Sequence, residues 1–212
     1  MGKLALGCAA VVLGLAVIVG LAFASTYNGL NRKNQAVEAQ WAQVENVYQR
    51  RADLVPNLVA TVQGAANFEK STLESVIEAR SKVSSIQATK ELVNDPQAFQ
   101  KFEAAQGQLS SALSRLLVVV EKYPELKANA NFRDLQAQLE GTENRITVER
   151  MRFNETAQDY NTTFHSFPTN MIAGMFGFKE KAYFHAVAGA ETAPKVNFNF
   201  GTSAAPATAT TH

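Results

Sequence analysis

The chain contains a single cysteine, Cys8, so no intrachain disulfide can brace it and cysteine spacing carries nothing about redox compartment. Cys8 is also poorly placed for lipid attachment: only Leu4 to Gly7 of an apolar run precede it, and Ala5-Leu6-Gly7-Cys8 is a weak match to a lipoprotein tetrapeptide. An excess of one charge is missing too. Lys plus Arg is 20 against 19 Asp plus Glu, and with Lys3 set aside the rest of the chain is neutral. Nucleic-acid binding needs a basic field, whereas Arg50-Arg51 and Arg150 to Arg152 are short, acid-interleaved runs of the kind found on solvated helix faces. No nucleic-acid partner is expected.

Signatures of chemistry are equally scarce. The chain has no HExxH, no paired cysteines, no Gly-x-x-x-x-Gly-Lys and no Gly-x-Ser-x-Gly, which removes the most recognisable metal, phosphate and nucleophile sites. His165, His185 and His212 lack a partner at helical spacing. Glu143 and Glu149 are likewise not paired with a His in the way a di-iron bundle requires. The expectation is a protein without catalytic residues, metal or cofactor.

What the sequence does have is one long apolar run. Leu4 to Ala24 carries no charge, and at 1.5 Å per residue its length matches a hydrocarbon core of about 30 Å. A cleaved signal peptide ending at Ala22-Phe23-Ala24 is the competing reading. The length of the run, and its continuation through Ser25 and Tyr27 into a helical pattern, favour an uncleaved anchor. Small residues at Ala10 and Gly14, and at Ala16, Gly20 and Ala24, would let two membrane helices approach, so a homo-oligomer is an open alternative. Lys3 on one side and Arg32 and Lys33 on the other leave the orientation unassigned.

Beyond the run, apolar residues recur at steps of three and four, the period of a helix with one buried face. A first segment follows Tyr27, Leu30, Val37, Trp41, Val44 and Tyr48 as a continuation of the membrane helix. A second follows Val55, Val59, Val62, Ala66, Leu73, Val76 and Val83. The third, from Phe99 to Tyr123, should open at Asp95-Pro96, with Asp as cap and Pro in the first turn, and close before Pro124. A fourth runs from Phe132 to Phe164 and stops before Phe167-Pro168. Pro56 admits either a chain reversal or a kink, and a reversal gives segments of suitable length to pack side by side. Reversal is the expectation.

Polar residues fall at core-phase positions: Glu69, Arg80, Gln106, Thr142 and Glu149. They are read as register-fixing pairs or partly exposed groups, the rival being a ligand pocket between Glu69, Arg80 and Glu149. Asn154-Glu-Thr156 and Asn161-Thr-Thr163 fit the glycosylation pattern but lie on a predicted helix. Residues after Phe167 should cap or flank the bundle, although Met171, Ile172, Met175, Phe176 and Phe178 would also suit a membrane interface or a docked partner. From Gly189 the composition is that of a disordered tail, with a strand-like alternation at Val196 to Phe200.

An ordered set of motifs then resembles the LemA family across about Leu4 to Phe200. It comprises Tyr27-Asn28 after the apolar run, the stretch Trp41 to Val59 (WAQVENVYQRRADLVPNLV), and Ala79-Arg80. It continues with Tyr123 to Ala128 (YPELKA), Thr142 to Ile146 (TENRI), Tyr160-Asn161, and Phe167-Pro168 to Phe184. Departures are slight: Phe153 stands where the family often has Tyr, and Glu149 where a small residue is usual. The resemblance implies a bacterial membrane protein with an antiparallel helical bundle and no established enzymatic activity. Its implied partners are membrane-bound zinc metalloproteases or other envelope-stress proteins, and one relative contributes to building magnetosome membranes.

Taken together, the expected fold is all-α, an N-terminal transmembrane helix continuing into an antiparallel up-and-down four-helix bundle. Its expected parts are a tail at 1–3, the membrane helix at 4–24, the bundle at 25–186 and a tail at 187–212. The expected role is a single-pass envelope scaffold or adaptor at the lipid bilayer, with a self-assembling membrane-shaping protein as alternative. Recruiting residues are placed at Arg50, Arg51, Asp53 and Asn57 near Pro56, and at Glu143, Asn144 and Arg145 on the last long helix, where capping and pairing within the bundle would equally account for them.

Overall fold

The structure, a computed structural model, describes residues 2–65 and 68–185. Ala66, the tail beyond 186 and the Val196 to Phe200 alternation lie outside the described residues. Every regular element among those described is helical: α1 (Gly2–Gln63), α2 (Lys70–Ser84), α3 (Pro96–Val120), α4 (Pro124–Ala128), α5 (Ala130–His165) and α6 (Thr169–Phe176), with a 3-10 turn at Leu92–Asn94.

The all-α bundle stands, but its first reversal is not at Pro56. α1 is one helix of 62 residues that passes through Pro56, and the chain turns only after Gln63, beginning at Gly64. Proline has no N–H, so the carbonyl four residues earlier loses its helical partner. That carbonyl belongs to Ala52, and Arg80 of α2 donates its Nε to it at 3.1 Å. A neighbouring helix thus supplies the hydrogen bond that the proline removes, and α1 continues. In consequence Val55, Val59 and Val62 belong to α1, and α2 has only 15 residues.

The remaining boundaries follow local chemistry. Asp95 caps α3, accepting from the backbone of Gln97 at 3.0 Å and Ala98 at 3.1 Å, with Pro96 in the first turn. Asn129 caps α5 by accepting from Phe132 N. α6 closes on Gly177 at φ 71°, a left-handed position that favours glycine, and Phe178 N donates back to the carbonyl of Ala173 at 3.1 Å.

Cross-links fix the topology. Lys33 to Asp159, Gln40 to Glu149 and Arg51 to Glu143 climb α1 while descending α5, so the two run antiparallel. Arg51 to Gln106 and Trp41 to Phe99 place α3 parallel to α1. The Arg80 to Ala52 bond sets α2 against α1, completing an up-and-down arrangement.

The interior has two parts. An aliphatic core joins Val55, Leu58 and Val62 to Leu73, Val76, Leu109, Leu116 and Leu139. An aromatic core lies nearer the apolar run, where α2 does not reach, and centres on Trp41, which is 1% exposed. Its ring meets Phe99 at 5.7 Å, Phe102 at 5.5 Å, Phe153 at 5.4 Å and Phe184 at 6.2 Å. The Trp41 N–H finds the carbonyl of Ala88 at 3.2 Å. The side that a longer α2 would cover is filled by the 3-10 turn and by an extended strap, residues 178–185, which returns from α6.

Candidate interaction surfaces

Arg51 sits where α1, α3 and α5 meet and is 1% exposed. It donates to Glu143 Oε2 at 2.8 Å, to Ser110 Oγ at 2.6 Å, to the Gln106 carbonyl at 3.3 Å and to Gln106 Oε1. Ser110 also donates to Glu143 Oε1 at 2.9 Å. Its guanidinium lies 5.2 Å from the centre of the Tyr48 ring, and burial pushes the Tyr48 phenol up to about 12. A buried guanidinium is tolerated only when paired and hydrogen-bonded, and this one ties three helices together.

Of the residues expected to recruit a partner, the structure joins only Arg51 and Glu143 directly, and that link points into the bundle. Arg50, Asp53 and Asn57 are exposed on α1 at that level and just beyond it, and Asn144 and Arg145 are exposed on α5 beside Glu143. Asp53 accepts from Gln49 along the helix at 2.8 Å. These side chains stand on helix surfaces rather than at a turn, because α1 does not turn at Pro56.

Glu69, Arg80 and Glu149 are not brought together. Glu69 is exposed and bonded to Ser71, Arg80 serves Ala52, and Glu149 accepts from Gln40 at 2.7 Å and Arg152 at 2.9 Å. Gln40 and Ala52, which mark the two levels on α1, are about 18 Å apart at helical rise. An open cleft of about 500 Å³ lies beside Arg80, lined also by Glu45, Tyr48 and Gln106, but by neither Glu69 nor Glu149.

The most heavily built polar feature is the seat of the strap, part of the segment expected to cap or flank the bundle; the asparagines that hold it are not among the expected site residues. The side-chain amide of Asn161 accepts from Lys181 N at 2.9 Å and donates to its carbonyl at 2.9 Å. Asn154 does the same for Phe184, both bonds at 2.9 Å. Seven helical residues and three extended ones each span about 10 Å, so two asparagines on α5 can pair the strap's backbone as a neighbouring strand would. Tyr160 donates to the carbonyl of Lys179 at 3.0 Å, and Ala182 N reaches Val93 O at 2.9 Å. Arg150 lies 4.5 Å from the Phe184 ring centre and bonds Glu103 at 2.7 Å. Lys181 is buried, donates to Asn94 at 2.6 Å and has its ammonium pushed down by burial. The signal available in the sequence is the seven-residue spacing of Asn154 and Asn161 on a helix face that also carries Phe153 and Tyr160.

At the end of the bundle nearest the apolar run, α6 packs Ile172 and Ala173 inward and leaves Met171, Met175 and Phe176 exposed. The Phe176 ring lies 4.8 Å from that of Tyr27 and 5.9 Å from that of Phe23.

The LemA family profile matches residues 40–198. This chain belongs to the LemA family. Among curated LemA-like relatives it is 28% identical to Magnetosome protein MamQ of Magnetospirillum gryphiswaldense, over 82% of this chain and 71% of that one. It is 27% identical to Magnetosome protein MamQ 2 of Paramagnetospirillum magneticum, over 80% and 70% respectively. Protein LemA of Metamycoplasma hominis is 24% identical over 75% of this chain and 68% of its own. The family profile takes in Trp41, Arg51, Glu143, both strap asparagines and the strap itself, so the centre of the aromatic core and its returning segment lie within the matched range, while Leu30 and Val37 of that core precede it. The apolar run precedes it.

Proposed function

We propose that this LemA-family chain is a single-pass membrane-anchored scaffold of the bacterial envelope, which recruits a protein partner and carries out no reaction of its own. The observation that carries this reading is the continuity of α1. One helix holds an exposed apolar stretch long enough to cross a bilayer and, without a break, the residues around which both cores are built. A rigid connection of this kind fixes the bundle's height and orientation relative to lipid and confines its exposed faces to two dimensions, so that a membrane-held partner meets them at high effective concentration. Arg50, Asp53 and Asn57 on α1 and Asn144 and Arg145 on α5 are exposed polar residues open to a partner, and the Arg51–Glu143 link holds the two helices in register. A protein held in the same membrane, such as a membrane-bound metalloprotease or another envelope-stress protein, is the class of partner this arrangement suits.

Photo-crosslinking groups placed at Arg50, Asn57 and Arg145 in cells test the reading. It expects a discrete adduct with another membrane protein, and the adduct formed from the Asn57 position should be lost in the R50E/R145E variant while helicity is unchanged. Adducts only between copies of the chain would favour the self-assembling alternative, and no dependence on the charge reversal would remove the recruiting role. Arg51 is unsuitable for this test because reversing a buried charge would unfold the site it is meant to probe.

A further inference from the structure

We propose that α6 is a second lipid contact, an interfacial helix whose outer face inserts into the bilayer at the level where the apolar run of α1 ends. The inference rests on the anchored reading above and deepens it.

The sequence of α6, Thr169–Phe176, contains no charge. Thr169, Ile172 and Ala173 line its inner face, at the spacing of one helical stripe, and are buried. The opposite stripe would be polar on an ordinary surface helix. Here it carries one polar residue, Asn170, exposed at its edge, and otherwise consists of Met171, 63% exposed, Gly174, and Met175, 74% exposed, with Phe176 at 52% beside it and Phe167 at 81% just before the helix. Water is a poor medium for such a face, and the contacts of α6 indicate what replaces it. Phe176 packs on Phe23 and Tyr27, which flank Ala24, the last residue of the apolar run. Three steps of helix take the chain from Ala24 to Tyr27, about 4.5 Å. The run has little length to spare over a hydrocarbon core of about 30 Å, so Ala24 must lie close to the acyl boundary. Interfacial helices sit 5–10 Å into that boundary, where aromatic side chains also collect. Met171, Met175 and Phe167 therefore continue, sideways from the anchor, the same apolar surface that α1 presents to lipid. The left-handed turn at Gly177 then sends the chain away from this level into the strap.

The full-length protein, with Cys8 replaced by Ser, carries one spin label at a time and is reconstituted in vesicles of phosphatidylethanolamine and phosphatidylglycerol. Labels are placed at Met175 (M175C), at Leu13 in the apolar run (L13C) and at Asn57 on the distal bundle (N57C). Accessibility to oxygen, which partitions into lipid, and to a water-soluble nickel chelate is read for each. The near-ultraviolet signal of Trp41 checks folding, and F167C provides a second reading should M175C misfold. The expected result is lipid-type accessibility at Leu13, a shallow lipid position about 5–10 Å deep at Met175, and full chelate exposure at Asn57. Met175 as chelate-accessible as Asn57, with Leu13 in lipid, would overturn the proposal and leave the anchor standing. A Met175 label shielded from both reagents would overturn it in favour of contact between copies. A Leu13 label in water would overturn both readings.

Discussion

Two residues at the three-helix junction differ in what their loss should cost. Arg51 is 1% exposed and Glu143 48%, and among the described residues the Arg51 Nε is the buried side-chain atom without a hydrogen-bond partner. Glu143→Ala leaves a buried guanidinium short of its counter-charge, whereas Arg51→Met leaves a carboxylate that water can reach, an alkyl chain in the core and the buried, neutral Gln106 amide without that donor. A buried unpaired charge costs more than a neutral acceptor left unmade, so removing the exposed partner should hurt more, by about 3 kcal/mol against about 2 for Arg51→Met. Urea midpoints of the two variants check the order, and equal or reversed costs would contradict the reading. Alkaline stability belongs to this scale as well. Burial raises the phenols of Tyr48 and Tyr160 from 10.0 to about 12. The unfolded chain then loses these protons first, so the stabilisation is complete below about pH 10 and is lost as pH rises to about 12. Lys181, with its ammonium pushed below 10.5, acts with the opposite sign over the range beneath 10.5. Urea midpoints across that alkaline range should fall less steeply in Tyr160→Phe than in the parent, and identical slopes would refute the assignment.

Among the elements, α1 owes its passage through Pro56 to a group on another helix, which makes a coupling measurable. Arg80→Ala should cost about 1–2 kcal/mol in the parent, where the Ala52 carbonyl would be left without its donor. It should cost little in Pro56→Ala, where a backbone N–H returns to that carbonyl. A double-mutant cycle giving a coupling of about 1 kcal/mol supports this account, and additivity would contradict it. The strap makes a parallel case. Asn161→Ala removes both bonds to the Lys181 backbone, and hydrogen exchange should quicken along residues 178–185 before it does in α3. Uniform loss of protection would mean that the strap is not a separate unit. These elements also mark where the sequence was legible. Asp95-Pro96, the end of α5 before Phe167-Pro168 and the three-and-four spacing are local signals, and each appears in the structure as read. Pro56 does not mark the reversal because its remedy comes from Arg80, 28 positions from the carbonyl it serves; the breaker is Gly64, where the turn begins. Arg80 itself was visible as a polar residue in core phase, but not its task. The strap left no helical period to follow, and the paired asparagines that seat it have meaning only once a second backbone lies alongside them.

For the whole molecule, the account depends on α1 being one object: an apolar, outward-facing length of helix and the central member of a bundle, with α6 and the aromatic core gathered where the two meet. The exposed residues Arg50, Asp53, Asn57, Asn144 and Arg145 acquire their proposed use only if that helix remains whole and in lipid, and α6 meets the bilayer only under the same condition. The most direct measurement is therefore the intact mass of the protein recovered from native membranes after an alkaline wash. The account predicts a chain that retains Leu4 to Ala24, stays with the membrane through the wash and requires detergent for release. A chain beginning near Ser25, or one that the wash sets free, would contradict it.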